Sequence, residues 1–264
     1  MSDLLELRRS GDPALPILVY LPGLHGDWTL ISSFRKAVEG RVHFVELAYP
    51  RSVTLGLADL ARLILTGLLA EGITTGWLLA ESFGSQVAWA ILQEIQTPGP
   101  RGAVQFTPAG LILAGGFVRH PVIPGVRLAR TFCAETPPWF LRLFLWAYHK
   151  YAHFRHRRAP ETLRDIAEFV VRRQTPGDRQ AMAHRLNLIA KADFRALART
   201  TRLPVFSLTG FWDPIVFWWP VRAWLRRECP ALRGDRLLFW ADHTVLATQP
   251  DASAQQVLTW MGPR

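Results

Sequence analysis

Residues 77–95 read WLLAESFGSQVAWAILQEI. Trp77 to Ala80 is a short apolar run, the pattern of a buried strand, and Ser85 to Ile95 has the look of a helix. Between them, Ala80-Glu81-Ser82-Phe83-Gly84 keeps small residues two places before and two places after a serine. Small side chains there permit a sharp strand-to-helix turn that lifts the hydroxyl clear of the backbone, so Ser82 is the candidate nucleophile. A small-x-Ser-x-Gly pattern arises by chance about 0.2 times in a chain of this length at ordinary residue frequencies, so the flanking strand and helix carry the weight.

The same phrase recurs on either side. Ile17 to Leu21, Val42 to Leu47, Leu111 to Ala114, Val205 to Leu208 and Arg236 to Trp240 are further short strand candidates. Helix-like stretches lie between most of them: Leu30 to Val38, Leu57 to Ala70, Val221 to Glu228 and Ala252 to Met261. Strands alternating with helices predict an α/β fold, a mostly parallel sheet with helices on both faces. In such sheets ligands bind beyond the carboxyl ends of the strands, so the loops after these runs are where chemistry is expected.

One segment breaks the alternation. Phe117 to Leu203 separates two strands and carries its own helix-like pieces, Trp139 to Tyr151, Pro160 to Arg173 and Arg179 to Ala198. A loop of that length without structure is improbable, so a helical insertion is expected, dividing the chain into a core of residues 1–116 and 204–264 and an insertion of residues 117–203. The charge follows the same division. The insertion holds 17 Lys and Arg against 6 Asp and Glu, while the remaining 14 basic and 15 acidic residues nearly cancel, so the net +10 of the 264-residue chain belongs to the insertion.

Cys133 and Cys229 form no CxxC and no Cys/His cluster, which argues for two buried thiols rather than a metal site or a disulfide framework. The opening MSDLLELRRSGD mixes acidic residues with its leucines and reads as no secretory signal, so a cytoplasmic protein is expected. The aromatic run Trp139 to Phe154 is interrupted by Arg142, His149, Lys150 and His153, too often for a membrane span of about 20 apolar residues.

The order of these motifs resembles that of the α/β-hydrolase superfamily along almost the whole chain. Leu21-Pro22-Gly23-Leu24-His25-Gly26 is similar to the family's oxyanion loop. The resemblance implies backbone donors at Leu24 and at Phe83, the residue after the nucleophile. Gly210-Phe211-Trp212-Asp213-Pro214-Ile215-Val216 resembles the family's acid loop, which makes Asp213 the acid, although Asp before Pro is also a common turn starter. His243, between the last strand and the last helix, stands where the family keeps its base, with Asp242 in place of the more frequent glycine before it. Asp242 competes with Asp213 for the acid, but adjacent residues rarely face each other productively. The other histidines fit solvated or packed roles, and His25 shapes the oxyanion loop.

A serine in the nucleophile position argues against the aspartate-dependent haloalkane dehalogenases and epoxide hydrolases of the superfamily, and the resemblance implies acyl transfer with no cofactor and no metal. The leading expectation is a carboxylic-ester hydrolase acting on a small-molecule ester with an apolar acyl or aromatic group. Trp139, Phe140, Phe144, Trp146 and Tyr148 of the insertion, with Trp212, Phe217, Trp218 and Trp219, are candidates to line its pocket or to pack the insertion onto the core. The resemblance makes the insertion a cap over the site. Its Arg155, Arg157, Arg158, Arg172 and Arg173 read either as a solvated face or as a surface for an acidic partner: a carrier protein, a coenzyme A or phosphate-bearing substrate, or an anionic membrane. The second expectation is therefore a thioesterase or carrier-protein esterase, and the third a non-catalytic ligand-binding member of the fold. Nucleic acid fits poorly, since no binding motif accompanies the charge.

Overall fold

The computed structural model describes residues 4–96, 105–136, 159–172 and 175–262. Seven strands form one sheet: β1 (Glu6–Ser10), β2 (Ile17–Leu21), β3 (His43–Ala48), β4 (Thr75–Glu81), β5 (Thr107–Ala114), β6 (Val205–Gly210) and β7 (Leu232–Leu238). Their spatial order is β1-β3-β2-β4-β5-β6-β7, parallel throughout except for β1, which runs antiparallel to β3. The core helices are α1 (Ser32–Ala37), α2 (Leu57–Ala70) and α3 (Gly84–Gln96), and a helical stretch follows β5 with α4 (Ile123–Glu135), α5 (Pro160–Arg172), α6 (Pro176–Lys191) and α7 (Arg195–Thr200). After β6 come α8 (Trp218–Glu228), α9 (Val245–Thr248) and α10 (Pro250–Met261).

Strand side chains alternate between two buried clusters, which is why these strands read as continuous apolar runs. Val19, Leu21, Leu78, Ala80, Leu111 and Leu113 face α2 and α3, packing on Ile64, Leu68, Val87 and Trp89. Leu18, Tyr20, Leu79, Ile112 and Ala114 face the other way, with Phe34 of α1 and Val257 of α10. With both faces covered, the strand ends are where the chain is open to other chemistry.

Three readings of the sequence need correction. Strand β1, ELRRS, carries no apolar run and is half-exposed at the sheet edge, where charged side chains discourage pairing with other chains. The last strand lies earlier than Arg236 to Trp240: Arg233, Asp235 and Arg236 hide its start, while Phe239 and Trp240 lie beyond its end and are exposed. The helix expected over Arg179 to Ala198 begins at Pro176 and divides, because Ala192 turns extended and the Asp193 carboxylate accepts the Arg195 amide, opening a new helix. The expected helix Trp139 to Tyr151, the aromatics Trp139, Phe140, Phe144, Trp146 and Tyr148, and Arg155, Arg157, Arg158 and Arg173 lie outside the described residues, as does the Arg172 side chain.

A buried ion pair joins helix to sheet. The Glu46 side chain on β3 is fully buried; Arg35 of α1 donates to it from Nε at 2.9 Å and from Nη2 at 2.6 Å, and Arg8 of β1 approaches to 3.6 Å. Glu46 is the dry member, so removing Arg35 would leave a buried carboxylate with only the half-exposed Arg8 near it. Arg35→Ala is therefore expected to lower unfolding stability by about 3 kcal/mol, read from the shift of a urea transition at unchanged slope.

Candidate active site

Ser82 sits at the turn between β4 and α3 with φ 50°, the one non-glycine residue at positive φ among the described residues. Such a conformation costs about 1–3 kcal/mol and persists only where its surroundings enforce it. Here they do. The Ser82 amide donates to the Ala114 carbonyl at 3.0 Å, and the Ser85 hydroxyl donates to the Ser82 carbonyl at 2.6 Å while accepting the Phe117 amide at 3.0 Å. A Cβ on Gly84 would lie 2.2 Å from the Leu21 carbonyl oxygen, so helix α3 can start this close to β2 only with glycine.

The imidazole of His243, from the loop between β7 and α9, has Nε2 2.8 Å from Ser82 Oγ. Its Nδ1 lies 2.8 Å from Asp213 Oδ2, in the loop after β6. The second carboxylate oxygen, Oδ1, accepts the amides of Ile215 and Val216, each at 2.8 Å. Because an ionised carboxylate only accepts, Nδ1 carries the proton, and the Nε2 lone pair faces the serine hydroxyl. Burial by itself disfavours the imidazolium; the Asp213 carboxylate more than offsets it, by charge and by hydrogen bond, and Glu81 and Asp242 add to it, so the pKa of His243 is raised. Asp242 Oδ1 accepts the amide of Thr244 at 3.0 Å and its hydroxyl at 2.9 Å, shaping the loop. The contact with Nδ1 is made by Asp213.

The loop holding Leu24 lies beside the hydroxyl: a Cβ on Gly23 would meet Ser82 Cβ at 3.4 Å. Neither the Leu24 nor the Phe83 amide donates to a protein acceptor among the described residues. Across the whole site, then, a hydroxyl, an imidazole and a buried carboxylate converge at the carboxyl ends of the strands. Among the described residues no group of three His, Cys, Asp or Glu could hold a metal.

The sequence matches no family model and no curated protein. Solved structures match over nearly the full length. An esterase from Thermogutta terrifontis superposes with TM-score 0.74 at 20% identity, covering 97% of this chain and 92% of that one. An enol-lactonase from Burkholderia xenovorans gives TM-score 0.71 at 19% identity over 97% and 96%. An α/β-hydrolase from a deep-sea metagenome library gives 0.73 at 12% identity over 98% and 94%. The chain has the α/β-hydrolase fold.

Four residues around this candidate site were not singled out by the motifs. Arg185 of α6 is buried and reaches back to the loop, donating from Nη1 to the Leu24 carbonyl at 2.9 Å and from Nη2 to that of Pro50 at 3.2 Å. It fills the space a Cβ on Gly26, at φ 85°, would need. Arg179 is likewise spent on internal carbonyls, those of Cys133 and Thr136. Glu81, next to Ser82, is buried and accepts the Tyr20 hydroxyl, which itself is held protonated by burial and by that carboxylate. A charged residue at the end of an otherwise apolar strand was the signal for a buried partner. His120 is buried too, accepts the Val122 amide at 3.1 Å, and is pushed down to about 4 by burial and the field of His243. It lines a cavity of about 380 Å³ with Ile123, Pro124, Arg195 and Trp224. Of the aromatics expected to line a pocket near the acid loop, Trp212, Phe217 and Trp219 instead face solvent.

Proposed function

We propose that the protein is a cytoplasmic serine hydrolase that cleaves carboxylic esters with apolar acyl or aromatic groups through an acyl-enzyme on Ser82. The observation that carries this reading is the relay of two 2.8 Å contacts from Ser82 through His243 to Asp213, with the serine held at positive φ. The esterases and the lactonase among the structural matches agree with it.

In this mechanism His243 Nε2 takes the hydroxyl proton as Oγ attacks the acyl carbon, and the carbonyl electron pair moves onto oxygen. The amides of Leu24 and Phe83 receive that oxyanion; one such donor is worth about 3 kcal/mol in the transition state. Collapse expels the alcohol, which leaves with the proton from His243. Water then gives its proton to His243, attacks the acyl carbon, and the acid departs as Oγ recovers its hydrogen. Substrate, water and these side chains supply every proton and electron pair. Residues 117–203 act as a cap over a core of residues 1–116 and 204–264. Its anchorage supports this: α5 meets α1 through Glu161 to Lys36 at 2.7 Å and Thr162 to Ser33, and Arg185 holds the Leu24 loop.

A fluorophosphonate probe is expected to label the folded protein once, at Ser82; a folded preparation that resists labelling would leave the fold with a binding role. The base must be neutral to act, and its proton is held more tightly than in free histidine. The acid limb of kcat/KM toward a p-nitrophenyl ester is therefore expected to turn above about pH 6.5 and to fall about tenfold per pH unit below that turn. A limb centred below the ordinary histidine value contradicts the proposed partner.

A further inference from the structure

The loop Pro22-Gly23-Leu24-His25-Gly26 has a glycine on each side of Leu24 and His25, so its own sequence does little to fix where the Leu24 amide points. Inside the loop the Gly26 amide donates to the Gly23 carbonyl at 3.0 Å, closing a turn. The trans peptide between Gly23 and Leu24 places the Leu24 N–H opposite that carbonyl, away from the turn. The turn as a body is held from elsewhere in the chain. Its Gly26 carbonyl accepts the Tyr49 amide at 2.8 Å, and its Leu24 carbonyl accepts Nη1 of Arg185, a residue of α6 that lies 161 positions away. The same guanidinium donates from Nη2 to the Pro50 carbonyl and lies 5.6 Å from the centre of the Tyr49 ring, which in turn meets the Phe83 ring edge-on at 6.0 Å. One buried side chain thus touches the loop that carries one candidate oxyanion donor and the ring that packs against the residue carrying the other.

We propose that Arg185 is a positioning residue for the oxyanion hole, holding the Leu24 turn at the place where the developing charge is received; the proposal rests on the hydrolase reading. A backbone donor stabilises the transition state only when it is aimed at the position the oxyanion takes. Misplacing such a group by about 1 Å costs about a hundredfold in rate. A guanidinium suits the task because its planar fork spans two carbonyls at a fixed spacing, which a single ammonium cannot do. The arginine is itself braced, since α6 is tied to the segment after β3 at two further points. Arg51 Nε lies 2.9 Å from Asp178 Oδ1, and His184 Nε2 lies 2.9 Å from the Leu55 carbonyl oxygen. Through Arg185, helix α6 therefore sets the geometry in which the oxyanion forms, although it carries none of the reacting groups.

The test compares three variants of the full chain on a p-nitrophenyl ester, with active sites counted by fluorophosphonate labelling carried to completion. Arg185→Lys keeps the charge but reaches one carbonyl at a time, and its kcat is expected to fall about tenfold; that of Arg185→Met is expected to fall about a hundredfold. In both, KM should stay within about threefold, while affinity for a trifluoromethyl ketone, whose hemiketal oxygen on Ser82 occupies the oxyanion hole, drops by the same factor as kcat/KM. Arg51→Met cuts a neighbouring tie of the same helix and is expected to lower the unfolding midpoint while keeping kcat within about twofold. A loss that reflected only a loosened α6 would appear there as well, and equal losses in Arg51→Met and Arg185→Met overturn the proposal. So does a rise in KM at unchanged kcat, which would make Arg185 a substrate-binding group. If Arg185→Met does not fold, the lysine variant decides, and a kcat within about twofold of the unaltered chain overturns the proposal. An unaltered chain that neither turns over the ester nor takes the label removes the hydrolase reading and this proposal with it; an active chain indifferent to Arg185 removes this proposal alone.

Discussion

Replacing Ser82 with alanine is expected to lower kcat toward a soluble ester by a factor of about 10⁴–10⁶ and to abolish fluorophosphonate labelling, with the fold intact. The size follows from what is lost. The hydroxyl is the group that bonds to the acyl carbon, so without it His243 has only water to activate, and whatever rate remains comes from substrate positioning and the two amides. The change costs the fold little, because alanine keeps the Cβ and the backbone bond to Ala114, and the one side-chain bond removed, to His243, lies at the open end of the sheet. Glycine at the same position separates strain from chemistry. It adopts φ 50° readily, so Ser82→Gly is expected to be more stable than Ser82→Ala by about 1 kcal/mol, and equally inactive. Matching circular dichroism and a higher unfolding midpoint for the glycine variant, beside a collapsed kcat in both, is the expected pattern. An alanine variant that retained a tenth of the activity would move the nucleophile elsewhere.

Legibility in the sequence tracked the range of the interactions involved. The five interior strands, β2 to β6, were readable because each is covered on both faces and so is largely apolar along its length. The elbow around Ser82 was readable because a close helix-strand crossing admits only small residues at fixed offsets, as the Gly84 contact with Leu21 demonstrates. Asp213 and His243 stood out for a similar reason, each lying in a loop immediately after a strand. Strand β1 escaped notice because pairing with β3, and not its own hydrophobicity, holds it in place. Arg185 escaped for the same reason at longer range: nothing within a few residues of it distinguishes it from the other arginines of a basic segment, and its role exists only through the carbonyls of Leu24 and Pro50, more than 130 positions away. The Tyr20–Glu81 pair, 61 positions apart, is legible only as a question, namely what satisfies a glutamate at the end of a buried strand. Phe239 and Trp240 show the opposite failure, since an apolar run was taken as burial where the chain exposes it.

Asp213→Asn is expected to cost about 10⁴ in kcat, and the hydrogen bonds around the carboxylate say why. Oδ1 accepts two backbone amides, from Ile215 and Val216, and an NH₂ group cannot replace it there. The asparagine oxygen is thus held on those amides, which turns its NH₂ toward His243 Nδ1. That nitrogen must then accept, the ring proton moves to Nε2, and Nε2 points a hydrogen at Ser82 where a lone pair is required. The base is present, well placed and in the wrong tautomer. Loss of the carboxylate also leaves burial as the dominant influence on the imidazole, so the acid limb of the residual activity is expected to move to lower pH than in the unaltered protein. Asp242→Asn provides the contrast. An amide oxygen can still accept from Thr244, so the loop keeps its shape and activity should fall by less than about tenfold. If the two variants changed places, with Asp242→Asn inactive and Asp213→Asn nearly normal, the acid would be the neighbour of the histidine and not the residue 2.8 Å from its Nδ1.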